Sequence, residues 1–470
     1  MTTVETSTAR IPLWRTLTEA VRGSHQDYTQ APIGRAVVLL AIPMVLEMIM
    51  ESVFAIADIF FVGRLGADAV ATVGITESLM TTVYALAIGL TIGATATVAR
   101  RIGEKDTDGA ARAAVQSLLL GVAAAVVIGA CGVVFGPQLL RAMGASGDVL
   151  RVGSTFPRVM LGGSGTVLLL FLVNAVFRGA GDAAIAMRGL WFANAINIAL
   201  GPCFIFGLGP FPRLGVTGAA VGTTIGRGCG VLFQIYNLTK RDGRILIRPR
   251  HLRFDAPVMR TIVNISGTAT FQNFVGTASW MGIMRLLTGF GDAAVAGNTI
   301  GLRIIMFALL PSFGVSNAAA TLVGQNLGAG APDRAEAAAW KAGWYNTACL
   351  AGIGAIFLLF APALIAIFTS DPLVVPYGVQ CLRIVAAGFL FYGFGMVLTA
   401  AFNGAGDTRT PTIINVVSLW LWEIPLAWAL AYPGHLGPTG VFTAVSVAFS
   451  TLALISVALF RKGWWKTKRI

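Results

Sequence analysis

The sequence is poor in charged residues, which make up 12% of its 470 residues. A soluble domain carries about 25% charged residues, so the composition argues against an ordinary soluble protein of this length. Hydrophobic residues make up 56%, and the stretch 350–369 contains no charge at all. Because about 20 apolar residues cross a bilayer as one helix, the composition predicts an all-α polytopic membrane protein.

Cysteine and histidine are also scarce, and neither is arranged for chemistry. The five cysteines form no CxxC pair, and neither an HExxH nor a GxSxG motif occurs. The sequence therefore predicts no disulfide, no metal site and no cofactor, and it argues against an enzyme. A secretory signal is disfavoured because residues 1–34 lack an apolar core. We expect a polar arm there, with a short amphipathic helix near 11–21.

Glycine, proline and charge clusters divide the rest of the chain into twelve apolar segments. The second and eighth are longer than a bilayer requires, so we expect them to tilt or to extend beyond it. The twelve segments lie at 35–62, 67–99, 109–135, 150–177, 183–206, 215–238, 259–287, 292–325, 334–360, 375–402, 410–431 and 439–460.

The two halves of the chain repeat each other at an offset of 225 residues. FRGAGD at 177–182 returns as FNGAGD at 402–407, and GADAVA at 66–71 returns as GDAAVA at 291–296. Because each half holds six segments, the duplication predicts two pseudo-symmetric six-helix lobes related as parallel repeats. We interpret GAGD as a tight turn that uses the access of glycine to positive φ, since it lacks the GK[ST] ending of a phosphate-binding loop.

The repeat divides the chain into an N-terminal lobe and a C-terminal lobe. We place the domain boundaries at 1–34 for the arm, 35–238 for the first lobe, 239–258 for a basic linker, 259–460 for the second lobe and 461–470 for a basic tail.

Positive charge is concentrated on one side of the expected bundle. The net charge is +13, and the arm, the linker, the tail and connections that include Arg100 and Arg178 carry most of it. The positive-inside rule then predicts a multi-pass protein of the cell (inner, cytoplasmic) membrane with both termini in the cytoplasm. Since the cations are spread over membrane loops, we expect the bilayer and not nucleic acid as the partner, and function as a monomer.

The first segment holds three acidic residues, Glu47, Glu51 and Asp58, and the second holds Glu77. The spacing of the first three places them within about 40° on one helix face. A charged group facing lipid costs several kcal/mol, so that face is expected to point into the protein or into a wet cavity. Burial and mutual repulsion favour the protonated form of clustered carboxyls, which suits a proton carrier. Their oxygens could instead bind Na⁺.

A structural role for these carboxyls is the alternative, with hydrogen bonds to other helices or pairing with Arg158, Arg227 or Arg303. The second half of the chain is poorer in acids. Gln272 stands at the position equivalent to Glu47. Glu423 remains in the eleventh segment, where a role at a substrate site and a structural role are both open.

Four ordered motifs together resemble the multidrug and toxic compound extrusion (MATE) family. The resemblance covers nearly the whole chain and implies twelve helices in two lobes and secondary antiport of organic, often cationic compounds against H⁺ or Na⁺. The motifs are PMVLEMIMESVFAIADIFFVGRLG at 43–66, the two GAGD turns, NIALGPCFIFG at 197–207 and EIPLAWAL at 423–430.

The resemblance is closest to the DinF-like branch of that family, and it implies an ion-coupling site around Asp58. Asn174, Asn197 and Thr223 match the polar residues that surround the equivalent acid. A second acid of that branch is replaced by Gly201, which weakens the case for Na⁺, although Glu51 could supply the missing charge. The expected coupling residues are Asp58, Glu51, Glu47, Asn174, Asn197 and Thr223, with Glu77, Glu423 and Gln272 as possible additions.

Aromatic and methionine side chains suit apolar cations through ring contact and soft packing. Together with the duplicated lobes and the acids of the first segment, the resemblance implies an alternating-access antiporter that exports organic, amphipathic, cationic compounds in exchange for H⁺, with Na⁺ less favoured. A flippase or exporter of a lipid-linked or larger metabolite is the alternative, and a passive channel is the third class. The expected substrate cavity comprises Phe54, Met80, Tyr84, Phe171, Trp280, Met284, Tyr392, Met396 and Trp420.

Overall fold

The chain is almost entirely helical in the computed structural model, which describes residues 13–24, 26–144, 147, 150, 153–240 and 243–470. The amphipathic helix expected near 11–21 is described from Leu13 onward, as α1 (Leu13–Arg22), and residues 11 and 12 lie outside the described part. The first six spans are α2 (Ile33–Gly63), α3 (Ala67–Gly103), α4 (Thr107–Ala142), the pair α5 (Thr155–Gly162) and α6 (Ser164–Ala180), α7 (Ala183–Phe206) and α8 (Val216–Thr239).

The second half of the chain repeats this order. Its spans are α9 (Ala256–Leu287), α10 (Asp292–Gly328), α11 (Pro332–Ala366), the pair α12 (Val375–Ala387) and α13 (Phe389–Gly404), the composite of α14 (Arg409–Asn415), a π-helical segment (Val416–Glu423) and α15 (Ile424–Ala431), and finally α16 (Pro438–Arg461). All twelve segments predicted from the sequence therefore form helices.

Most of these spans are long and apolar enough to cross a membrane by themselves. Within the described residues nine spans meet that condition, and the bent pair α12–α13 makes ten. The other two, α8 and α9, have 24 and 32 residues and carry more polar side chains. The second and eighth spans, α3 and α10, each have 37 residues, as their long segments predict. The fold is thus all-α, with twelve spans in two pseudo-symmetric six-helix lobes.

The lobes match each other in backbone detail. Gly181 and Gly406, the second glycines of the two GAGD motifs, have φ of 84° and 82°, in the left-handed region that favours glycine. The predicted tight turn is confirmed at both places. The fourth and tenth spans break at the equivalent glycines Gly163 and Gly388, and the tenth bends there by 61°.

The two lobes meet where α2 packs against α10 and α3 packs against α9. Glycines allow this close approach. A Cβ atom at Gly314 would lie 2.7 Å from the backbone nitrogen of Val45, and one at Gly89 would lie 2.6 Å from that of Thr270. Both pairs are related by the 225-residue offset, so the interface follows the symmetry of the repeat.

We call the basic end that end of the bundle where the α3–α4 connection, the GAGD turns, the linker and the tail lie. The lobes are in tight contact there. A Cβ atom at Gly103 would lie 2.0 Å from the carbonyl oxygen of Gln325, and one at Gly328 would lie 2.1 Å from that of Arg100. Gly103 and Gly328 are again repeat mates, and so are Gln325 and Arg100.

Arg100 and Arg178 are buried at the basic end. Both belong to the cations counted on that side of the bundle, and their burial could not be foreseen from the sequence. Arg100 Nη2 donates hydrogen bonds to the carbonyl oxygens of Ala405, at 3.3 Å, and Lys468, at 3.0 Å. Arg100 is therefore held by backbone carbonyl groups of the other half of the chain and does not face solvent.

Residues 26–35, which we call the N-terminal strap, lie across both lobes at the basic end. The side chain of Tyr28 is buried beneath the guanidinium group of Arg244, whose carbon lies 4.8 Å from the ring centre. On the other side, Arg334 of the C-terminal lobe donates a hydrogen bond of 3.3 Å to the carbonyl oxygen of Tyr28. The strap therefore holds the two lobes together.

The opposite end of the interface, which we call the far end, differs from the basic end. Among the described residues, every hydrogen bond between the lobes lies at the basic end. Toward the far end α9 and α10 border a cavity of 470 Å³. The hydrogen-bonded contact between the lobes is therefore confined to the basic end among the described residues.

Candidate functional site

The three acids of the first span all point toward other helices of the N-terminal lobe, and each has different surroundings. Glu47 is fully buried, and its Oε1 accepts hydrogen bonds of 3.0 Å from Asn174 Nδ2 and 3.0 Å from Arg178 Nη1. Gln234 in turn donates to Asn174 Oδ1. A charge as deeply buried as Glu47 needs a partner, and Arg178 supplies it.

Glu51, one turn further along α2, is also neutralised. Its carboxylate accepts hydrogen bonds of 2.9 Å from Arg227 Nη2 and 3.2 Å from Asn194 Nδ2. The guanidinium carbon of Arg227 lies 5.5 Å from the ring centre of Phe54, a cation–π distance. Pairing with Arg227 is the structural alternative foreseen for the acids. The idea that Glu51 supplies the missing charge beside Asp58 is therefore not supported by this geometry.

Asp58 differs from both because, within the described residues, it accepts no hydrogen bond and forms no ion pair. It lies about 10 Å beyond Glu51 along α2. Together with Glu77, Thr223 and Met80 it lines a cavity of 20 Å³, enough for about one water molecule. Thr223 Oγ1 accepts a hydrogen bond of 2.9 Å from Asn197 Nδ2.

The structure thus brings Asp58 together with Thr223, Asn197 and Glu77, but not with Asn174. Asn174 lies beside Glu47, about 16 Å from Asp58 along the axis of α2, so its expected place around Asp58 is wrong. The reason is that the two residues lie at different depths in the helix bundle. Asn174 comes six residues before the end of α6 at the basic end, whereas Asp58 lies near the far end of α2.

In the C-terminal lobe Glu423 is a buried acid. It ends the π-helical segment, and its Oε2 accepts a hydrogen bond of 2.8 Å from Ser279 Oγ. Such segments often occur at functional sites. Trp420, in the same segment, donates to the carbonyl oxygen of Val275 at 3.0 Å. Gln272 is buried, and its Oε1 has no hydrogen-bond partner in the described part of the chain.

The larger cavity, of 470 Å³, lies within the volume range of small-molecule sites. Trp280 lines it, as the sequence predicts. The sequence analysis missed the contribution of α10, although its residues follow the spacing of one helix face. The full lining comprises Trp280, Leu302, Arg303, Met306, Phe307, Leu310 and Phe313.

The other residues expected in the substrate cavity lie elsewhere. Met396 is buried in the hydrophobic core of the C-terminal lobe, because its part of α13 packs against α16, so that expectation is wrong. Tyr84 and Phe171 pack on each other inside the N-terminal lobe, with ring centres 6.1 Å apart. Phe54 lies against Arg227, and Met80 lines the small cavity. The last three are Tyr392, whose ring packs on Phe449, the half-buried Met284 and the exposed Trp420.

Comparison with known proteins gives one family. Residues 43–203 and 268–429 match the model of the MatE family, and the two matches begin 225 residues apart, at equivalent points of the lobes. A probable multidrug resistance protein NorM of Thermotoga maritima is 26% identical over 439 residues, covering 93% of this chain and 94% of that protein.

Two further similarities cover most of the chain. An FAD transporter of Shewanella oneidensis is 27% identical over 405 residues, covering 84% of this chain and 88% of that protein. A multidrug resistance MATE family transporter solved in an outward-facing conformation has a TM-score of 0.88 and 27% identity, covering 94% and 98% of the two chains. The protein is therefore a multi-pass membrane transporter and not an enzyme, and it belongs to the MatE family of multidrug and toxic compound extrusion transporters.

Proposed function

We propose that the protein is an alternating-access antiporter of the cell membrane that exports small organic amphipathic compounds, including cations, in exchange for H⁺. The main support for this proposal is the environment of Asp58. Asp58 is the one acid of the first span that has neither a hydrogen bond nor an ion pair within the described residues. A carboxyl without a fixed counter-charge can gain or lose a proton without breaking an ion pair.

Glu47 and Glu51 are less suited to carry the proton. Each is paired with an arginine, at 3.0 Å to Arg178 and 2.9 Å to Arg227. Protonating either acid would leave a buried guanidinium without its partner, which is strongly unfavourable. We assign these pairs to holding α2 in the lobe, and we assign the protonation step to Asp58 with Glu77 beside it.

H⁺ is favoured over Na⁺ as the coupling ion for two reasons. Gly201 stands where the DinF-like branch, which the sequence resembles, has a second acid, and six of the ten residues that line the small cavity are apolar. A cavity of 20 Å³ beside two carboxyls suits one water and a shared proton. Na⁺ remains the alternative that the transport experiment below tests directly.

The proposal of alternating access rests on the difference between the two ends of the interface, since the hydrogen bonds between the lobes lie only at the basic end among the described residues. Placing the basic end in the cytoplasm satisfies the positive-inside rule and puts both termini there. With the hydrogen-bonded contacts between the lobes at the cytoplasmic end, we interpret the structure as the outward-facing state. In this proposal lobes 35–238 and 259–460 rock about their shared interface and expose the larger cavity to each side in turn. Because the site lies within one chain, we propose that a monomer is the functional unit.

Export of a larger metabolite is the second candidate function. It is favoured by the relative from Shewanella oneidensis that is named an FAD transporter. The relatives named for multidrug resistance favour the first candidate. The larger cavity is open at one side, so it does not by itself limit the length of the substrate.

Transport in liposomes tests the proposal. The purified protein is reconstituted, a pH gradient or a Na⁺ gradient is imposed separately, and movement of a fluorescent organic cation is recorded. We expect the pH gradient alone to drive uptake against the concentration gradient. Drive by Na⁺ alone would overturn the choice of ion. Equal downhill flux with and without either gradient would indicate a passive channel.

A further inference from the structure

Residues 464–470, which we call the terminal segment, fold back onto the C-terminal lobe. Gly463 has a φ of 76°, in the left-handed region that favours glycine, and it redirects the chain after α16. The side chain of Trp465 is fully buried, and its ring stacks on that of Phe460 with centres 4.4 Å apart. Its Nε1 donates a hydrogen bond of 3.0 Å to the carbonyl oxygen of Phe460. A buried aromatic ring therefore anchors the terminal segment to its own lobe.

Lys466 adds contacts between the terminal segment and the start of α11. Its Nζ lies 2.9 Å from Asp333 Oδ1 and 2.6 Å from Glu336 Oε2. Ion pairs at an exposed surface contribute little stability. These contacts therefore fix the direction of the segment, and the burial of Trp465 is the main anchor.

The second half of the terminal segment reaches the other lobe. The carbonyl oxygen of Lys468 accepts a hydrogen bond of 3.0 Å from Arg100 Nη2, on α3 of the N-terminal lobe. The same nitrogen donates at 3.3 Å to Ala405 in the second GAGD turn. The side chain of Ile470 packs against this turn, since a Cβ atom at Gly406 would lie 2.5 Å from its Cγ2 atom. The segment and the turn together hold one cation of the N-terminal lobe.

Comparison of the two repeats shows what the terminal segment adds. Gln325, the repeat mate of Arg100, is neutral and donates to the first GAGD turn at Gly179. Arg100 carries a charge and is nonetheless only 7% exposed, and a buried charge needs hydrogen-bond partners. The carbonyl group of Lys468 is one of these partners, so the terminal segment supplies an acceptor that the charge of Arg100 requires.

This contact favours the state in which the lobes meet at the basic end. It joins an anchored segment of one lobe to the other lobe, and it must break when the basic end opens. A contact made in only one of two states shifts their ratio toward that state. We propose that residues 464–470 are a latch that stabilises the state closed at the basic end and so sets the balance between the outward-facing and inward-facing states.

This inference rests on the proposed function, because a latch has a role only if the lobes alternate. The latch acts on conformation and involves neither the coupling ion nor the substrate. Its test is therefore a measurement of conformation without any gradient.

Distances between spin labels test the latch. One label is attached to each lobe at an exposed residue of the basic end, by Thr107→Cys in α4 and Ala337→Cys in α11, in a chain whose five native cysteines are replaced by alanine. Pulsed electron resonance on the protein in lipid nanodiscs gives the populations of short and long distances. We expect a chain that ends at Lys466 to raise the ratio of open to closed forms about tenfold, the low end for a hydrogen bond to a charged group.

Three variants separate the latch from other effects. Trp465→Ala keeps the acceptor but releases the anchor, and it should also raise the ratio. Arg100→Gln should open the basic end by itself, and shortening the chain should then have no further effect. Arg469→Ala, which removes an exposed cation of the segment but keeps its backbone, is the control and should leave the ratio unchanged.

Two results would overturn the latch. One is an unchanged ratio in the shortened chain and in Trp465→Ala although Arg100→Gln opens the basic end. The other is an equal further opening when the Arg100→Gln chain is shortened, which would place the effect of the segment elsewhere. A single distance in every variant, Arg100→Gln included, would count against alternating access as well, so the two failures are distinguishable.

Discussion

Gln325 donates a hydrogen bond of 2.9 Å from its Nε2 to the carbonyl oxygen of Gly179 in the opposite lobe. Its repeat mate Arg100 makes the reverse contact, to the carbonyl oxygen of Ala405. Each GAGD turn is therefore held by the lobe that does not contain it. The duplicated turn both reverses the chain and presents backbone acceptors that close the basic end.

Replacing Gln325 is expected to weaken this closure. Gln325→Leu removes one cross-lobe hydrogen bond, worth about 1 kcal/mol, so the ratio of states should shift about fivefold toward opening at the basic end. Distances between spin labels across that end, measured by pulsed electron resonance, report the shift. Asn346→Leu is the control, because Asn346 is equally buried but donates to Gly393 within its own lobe. Identical distance distributions in the two variants would contradict the role of Gln325.

Adding a methyl group at the closest approach should have a larger effect. In Gly103→Ala and Gly328→Ala the new Cβ would lie 2.0 and 2.1 Å from a carbonyl oxygen of the other lobe. Overpacking of this kind costs about 1–3 kcal/mol, so the closed state should lose about tenfold in population and transport should slow in both variants alike. Gly276→Ala, with nothing within 4 Å, should transport at the wild-type rate. A wild-type rate in either mate would show that the closed contact is dispensable.

The Glu47–Arg178 pair is expected to be structural. Glu47→Gln leaves a buried guanidinium unpaired, which costs about 3–5 kcal/mol, so the variant should show a clear fall in thermal stability by fluorescence-detected gel filtration. Replacing both partners, as in Glu47→Gln with Arg178→Met, should restore part of that loss. Any folded Glu47→Gln protein should still respond to a pH gradient. A stable variant that has lost this response would instead place Glu47 in the coupling step.

The N-terminal strap should not sense pH in the physiological range. Burial alone raises the pKa of Asp27, but hydrogen bonds from Lys105 and Thr29 outweigh it and lower the pKa to about 2. A lowered pKa stabilises the folded state above the ordinary carboxyl pKa of about 4, and the effect is lost as the pH falls through about 2. Hydrogen exchange of residues 26–35, corrected for intrinsic rates, should therefore be equal at about pH 5 and 8. Faster exchange at pH 5 would contradict this assignment.

The sequence predicts the architecture well because the signals for it are local or periodic. Apolar run lengths predict each of the twelve spans, and the repeated GAGD motif predicts the positive φ of Gly181 and Gly406. The division of the eleventh span by a π-helical segment could not be predicted, because no equivalent break occurs in its repeat mate α7.

The candidate site is less predictable because it depends on which residues of different helices lie at the same depth in the bundle. Helical spacing correctly turns Glu47 and Asp58 to one face, but it does not show which residue of another helix lies at the same height. Asn174 and Arg178 therefore could not be assigned to Glu47 from sequence alone. The lining residues of α10 could be assigned only once α9 and α10 were seen to border a common cavity.

The most direct test of the account is proton-driven transport by Asp58→Asn in liposomes. Asp68→Asn, which neutralises an exposed acid in the first turn of α3, is the control. The account predicts that a pH gradient drives substrate accumulation by the wild type and by Asp68→Asn, but not by Asp58→Asn. The Asp58→Asn variant should still exchange labelled for unlabelled substrate without a gradient. Accumulation by Asp58→Asn at the wild-type rate would contradict the central claim that Asp58 carries the proton.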